Sequence, residues 1–182
     1  MKSEYLKPEE IWCISQLLTT RNAVVVKTLL HTGLRVGDVL TMKKSDLKRQ
    51  FWITEQKTGK RRRVNLPDAL ISEIMAQTEP GNPWAFPGRK PGEHRTRQAV
   101  WKDLKRAAKA FRIPANATPH SLRKTFAVEE YEKSGDLEKV RRSLGHSDSI
   151  VTLLYALADV MRTEQRTAQS PYHLSRGYRG RK

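Results

Sequence analysis

The stretch TPHSLRKTFAVEEYEKSGDLEKVRRSLGHSDSIVTLLY, from Thr118 to Tyr155, decides how the rest of the chain is read. It sets His120 and Arg123 three residues apart, then Gly145-His146 in a tight turn, then a tyrosine nine residues later. Residues at i and i+3 share a helix face, so a titratable base and a permanent cation point the same way. Gly145 suits the left-handed position that closes a helix. The next segment carries Ile150, Leu153, Leu154, Leu157 and Met161 on one stripe. At about 100° per residue, Tyr155 falls roughly 140° from the centre of that stripe. Its hydroxyl is therefore expected outside the packed face.

The same order of residues extends upstream. Thr32-Gly33-Leu34-Arg35 follows a nearly all-apolar segment, residues 21–32, that reads as a central buried helix closed by Gly33. Asp38 stands three residues after Arg35. Strand-like segments at 50–56 and 61–66 flank Lys57-Thr58-Gly59-Lys60 and read as a β-hairpin with glycine in its turn. Each of these features alone is ordinary: an arginine after a capped helix, a solvated turn lysine, a half-buried tyrosine. Together, in this order, they form a pattern.

That pattern resembles the catalytic half of the tyrosine recombinase (phage integrase) family. The family's HxLR box is matched by His120-Ser121-Leu122-Arg123, its LGH box by Leu144-Gly145-His146, and its nucleophile by Tyr155. Arg35 matches the earlier arginine, Asp38 the acid that follows it, and Lys57 the hairpin lysine, with Lys60 as rival. The resemblance implies a mainly α fold with a small antiparallel β-sheet. It implies DNA strand cleavage by Tyr155 through a 3′-phosphotyrosyl link, with no cofactor or metal. Arg35 and Arg123 would clamp the phosphate, assisted by His120 and His146. Lys57 would protonate the leaving oxygen, and Asp38 would hold Arg35 or the fold. It also implies double-stranded DNA as partner and self-association on it, as a tetrameric synapse. Two other readings stay open: a type IB topoisomerase-like enzyme, and a DNA-binding regulator without catalysis.

Composition agrees. Thirty-five basic and 19 acidic residues give a formal charge of +16 and a pI near 10.3, which points to a polyanionic partner. No run of 18 apolar residues exists and the N-terminus lacks an apolar signal core, so a membrane partner is not expected and the cytosol is. The single cysteine, Cys13, excludes an internal disulfide and reads as a buried small hydrophobe. His31, His94 and His173 match no box.

Further helices are expected at 8–19, from Pro67-Asp68 to about Gln77, and after a Thr96 cap with the stripe Val100, Leu104, Ala107/Ala108, Phe111. Residues 79–95, rich in Pro, Gly and Arg, read as a long loop. The expected organisation is a catalytic domain over 1–165 and a basic, flexible tail over 166–182. No N-terminal core-binding domain is expected before it, since Met1 stands just before the first catalytic-domain helix. That fits a catalytic fragment or a naturally minimal protein.

Overall fold

The structure is a computed structural model, and it describes residues 4–144. Its elements are α1 (Pro8–Leu17), α2 (Thr20–Thr32), α3 (Val36–Leu40), a 3₁₀ turn (Lys44–Asp46), β1 (Gln50–Thr54), β2 (Arg61–Asn65), α4 (Asp68–Met75), α5 (Arg97–Ala110), α6 (Pro119–Ser134) and α7 (Leu137–Ser143). Among the described residues the fold is mainly α with one two-stranded antiparallel sheet. Among the described residues, no helix is long and apolar enough to cross a membrane.

α2 is the hub. It packs on α3, α4, α5 and α6, because Val24, Val25, Val26 and Leu29 are all buried. Gly33 ends it at φ +59°, with its N–H bonded to the Leu29 carbonyl at 2.9 Å. Only glycine fits there. The backbone is left-handed, and a Cβ would lie 2.2 Å from Phe126 Cδ1.

α6 is the second buried helix. Every residue from Ser121 to Val128 is buried. Its start is tightly specified: the Thr118 hydroxyl accepts from Ser121 N at 3.2 Å, the Ser121 hydroxyl accepts from Thr118 N at 3.1 Å, and Pro119 opens the first turn. Gly135, at φ +63°, separates α6 from α7, a break inside the opening stretch that the sequence did not reveal.

The hairpin follows period-two alternation. Phe51 pairs with Val64 and both are buried. On the other face Trp52 is exposed and carries the Arg61 guanidinium 5.3 Å from its ring centroid. The inward face continues to Ile53 and Glu55 on one side and Arg62 on the other, which brings charge beneath the sheet.

Several expectations shift. α1 and α4 end about two residues early, at Leu17 and Met75. Cys13 is half-buried rather than buried, since α1 lies at the edge of the domain against α5. Phe111 is 40% exposed, because α5 ends at Ala110 and its buried stripe stops at Ala108. The 79–95 segment is a loop held by backbone bridges, Lys43 to Trp84 and Pro87 to His94.

Candidate active site

Three segments bring four of the predicted residues to one place. Arg35 precedes α3, Lys57 sits in the hairpin turn, and His120 and Arg123 occupy the first two turns of α6. All four line an open cleft of about 530 Å³, together with Asp38, Gln56 and Arg97. Lys57 lies within the turn, and it lines the cleft while Lys60 does not. His146 and Tyr155 lie outside the described residues, as does the 166–182 segment.

Arg123 is the most enclosed of the four, at 1% exposure. One of its Nη groups donates to the Gly33 carbonyl and the other to the Leu144 carbonyl at 2.5 Å. Arg62 donates to the neighbouring Thr32 carbonyl at 2.5 Å. The unpaired C-terminal carbonyls of α2 thus meet two guanidiniums, the sign of charge that end of a helix favours. Burial, then the charges of Arg35 and Arg62, push the Arg123 pKa down to about 10, while Glu55 and Asp38 act in the opposite direction. The guanidinium therefore stays charged at neutral pH. Its Nε is buried without a bonding partner.

The partner of Arg35 is Glu55, not Asp38. Glu55 is 2% exposed, and its Oε2 accepts from Arg35 Nη1 at 2.8 Å and from the Thr58 hydroxyl at 2.8 Å. Its Oε1 lies 3.8 Å from Arg62 Nη1. Burial alone would raise the Glu55 carboxyl. The bonds from Thr58 and Arg35, with the charges of Arg35 and Arg123, outweigh that and hold it below its usual value. Asp38 has another job: its Oδ1 accepts from Gln56 N at 2.9 Å, which fixes the hairpin turn to α3. Its Oδ2 is buried and unbonded. Three arginines and two carboxylates thus lie together beneath the cleft, leaving a surplus of positive charge.

Sequence reading missed Glu55, Arg62, Gln56 and Arg97. Gln56 donates to Thr41 Oγ1 at 2.9 Å and accepts from Arg97 at 3.0 Å, so it links hairpin, α3 and α5 at the cleft edge. One signal was available: Glu55 has the same parity as Phe51 and Ile53, which marks an acid on the inward face of a strand.

His120 stands exposed at the cleft rim. The part of its ring set against the protein, then the cations Lys124, Arg123, Arg35 and Lys57, lower its pKa from 6.5, so it is neutral at pH 7. A neutral imidazole among fixed cations can accept a proton. Among the described residues, no group of three His, Cys, Asp or Glu is placed to hold a metal ion.

Among the described residues, a hairpin thus borders a cation-lined cleft above the buried Arg123, an arrangement suited to an anion. The model of the Phage integrase family matches residues 4–161, and the chain belongs to that family. It is 33% identical over 144 residues to the tyrosine recombinase XerD of Rhizobium meliloti (strain 1021), covering 74% of this chain and 46% of that protein. The chain spans about half the length of the XerD proteins it matches. Its fold is similar to that of the XerA recombinase, with a TM-score of 0.73, 22% identity, and coverage of 94% of this chain and 67% of that one. It is also similar to the catalytic domain of bacteriophage HP1 integrase, with a TM-score of 0.62, 22% identity, and coverage of 94% and 97%.

Proposed function

We propose that this chain cleaves and rejoins double-stranded DNA through a 3′-phosphotyrosyl intermediate, as a site-specific recombinase. In this reading a DNA phosphate enters the cleft, and Arg35 and Arg123 neutralise its non-bridging oxygens. The Tyr155 hydroxyl attacks phosphorus, so one P–O bond forms as the bond to the 5′ oxygen breaks. Neutral His120, with His146, helps accept the phenolic proton, and Lys57 donates one to the leaving 5′ oxygen. A 5′-hydroxyl from a partner strand then reverses the step. One phosphodiester is exchanged for another, so no external energy source enters.

The observation that carries this reading is the convergence of Arg35, Lys57, His120 and Arg123, from separate segments, on one open cleft. The excess of 35 basic over 19 acidic residues suits a duplex partner. Residues 1–165 would be the catalytic domain, and 166–182 a basic tail that helps protomers assemble as a tetramer on DNA. The cytosol would be its place of action. The test is a pool of nicked duplexes with randomised sequence, from which covalent protein–DNA adducts are recovered after denaturation. Wild type should yield adducts and Tyr155→Phe none. Equal yields from the two proteins would remove Tyr155 from its role.

A further inference from the structure

Helix N-termini carry partial positive charge and favour acids in the first turn. α1, α3, α4 and α7 obey this rule. α2, α5 and α6 have no acid in the first turn, and at the starts of α2 and α5 an arginine stands instead, Arg21 and Arg97. Local conflicts of this kind are expected where function overrides stability. Arg97 is accounted for by the cleft. Arg21 is not.

Arg21 lines a separate cavity of about 490 Å³, with Arg89, Arg95, Glu79, Gly88 and Thr96. Three guanidiniums there face one carboxylate. Arg21 pairs with Glu79 at 2.6 Å and reaches the Gly88 carbonyl at 3.4 Å. Arg89 is exposed and makes no side-chain bond among the described residues. Arg95 is held from below by a buried polar chain. Its Nε donates to Asn22 Oδ1, and Asn22, only 2% exposed, donates to Asp103 Oδ2 at 2.7 Å. That same carboxylate oxygen accepts from the amide and hydroxyl of Thr19, each at 2.9 Å. A network of this kind fixes the orientation of a cation whose direct partner is neutral.

We infer that Arg21, Arg89 and Arg95 form a second phosphate site, which binds a backbone phosphodiester of the same duplex whose scissile phosphate lies in the cleft. The inference rests on the recombinase reading for the identity of the duplex. Two features suit the sites to one DNA molecule. Thr96 lines the second cavity and Arg97, the next residue, lines the cleft. Along α2, Arg21 lies about 18 Å from Gly33, whose carbonyl receives Arg123, at 1.5 Å per residue. That is about five base-pair steps of duplex at 3.4 Å each. Burial, and next the charge of Arg21, lower the Arg95 pKa, while the charge of Asp103 acts in the opposite direction.

The test uses the wild-type chain and an arginine-selective label read by mass spectrometry. The label is applied to protein alone, with inorganic phosphate, and with a duplex several helical turns long. The expected result is a several-fold loss of labelling at Arg21, Arg89 and Arg95 with duplex, with Arg97 protected in parallel and Arg112, beyond the other end of α5, unchanged. Protection of Arg97 without Arg89 and Arg95 overturns the second site and leaves the recombinase reading standing. Protection of none overturns both. Protection by inorganic phosphate but not by duplex refutes a DNA ligand. As a second measurement, Arg89→Ala breaks no side-chain bond among the described residues. It should reduce the dependence of log affinity on log salt by about 0.9, the slope of one phosphate contact. Lys109→Ala, with the same loss of charge at the far end of α5, should leave the slope unchanged. Equal slopes for wild type and Arg89→Ala overturn the proposal.

Discussion

Glu55→Gln separates an organising role for this buried carboxylate from a passive one. Two unit charges about 4 Å apart interact by about 4 kcal/mol at an effective dielectric of about 20. Glu55 holds Arg35 at 2.8 Å and stands 3.8 Å from Arg62, at 2% exposure. Breaking a buried pair by removing one partner typically costs about 3–5 kcal/mol. Glutamine keeps the volume and an acceptor for the Thr58 hydroxyl, a bond of about 1 kcal/mol. The expected loss is therefore about 3 kcal/mol, read as a lower urea midpoint at unchanged slope. Duplex affinity should hold or rise, because the cluster becomes more positive. Adduct formation should fall about 10²-fold, the effect of an approximately 1 Å misplacement of a reacting group, because Arg35 loses its anchor. The pH dependence has a defined sign. The Glu55 carboxyl is held below its usual value, so its contribution is fully present above the unfolded pKa, near 4.3, and is lost as pH falls through the lower folded value. The stability of Glu55→Gln should be flatter across that acid range. A variant within about 0.5 kcal/mol of wild type that also cleaves at the wild-type rate would refute the reasoning.

Three further outcomes are expected. Lys57→Ala should slow cleavage by about 10²–10⁴-fold, and a substrate with sulfur in place of the bridging 5′ oxygen should largely restore it; rescue of Lys60→Ala instead would reassign the proton donor. The His120 ring, followed by NMR, should titrate below 6.5 in the free protein. The unfolded chain then takes up the proton first, so stability should decline as pH drops below that value; a free-state midpoint at or above 6.5 contradicts the electrostatics of the cleft. Gly33→Ala should destabilise by about 2–4 kcal/mol, combining left-handed strain with overpacking, since its Cβ would lie 2.2 Å from Phe126. Gly59→Ala, at φ +67° with nothing within 4 Å, should lose only about 1 kcal/mol, and equal losses at the two sites would show that the Phe126 contact is immaterial.

Local chemistry made much of the fold legible. Gly33 as a helix stop, Thr96 as a cap and Lys57-Thr58-Gly59-Lys60 as a hairpin turn each act within a few residues, and the structure shows each of them. Pairings through space were less legible. Asp38 is the acid nearest Arg35 in the chain, yet Glu55, twenty residues on, holds that arginine, because strand parity turns Glu55 inward while Asp38 bonds the hairpin backbone. Gly135 looks like any surface glycine until its left-handed backbone divides α6 from α7. One of the bridges that order 79–95 joins Trp84 to the distant Lys43, and the other, Pro87 to His94, closes a turn within the segment, so composition alone shows only a loop.

Arg123 holds the carbonyl that ends α2 with one hand and the carbonyl of Leu144 with the other. A residue with two such bonds is a poor place to disable the protein cleanly. On the recombinase reading, loss of activity in Arg123→Ala would mix a missing phosphate contact with a loosened junction between α2 and Leu144. Arg123→Lys would not separate them either, since an ammonium has no planar fork to span both carbonyls. On the recombinase reading, a variant that slows cleavage and leaves this junction intact is therefore better made at the rim of the cleft, where Lys57 is exposed and makes no side-chain bond among the described residues.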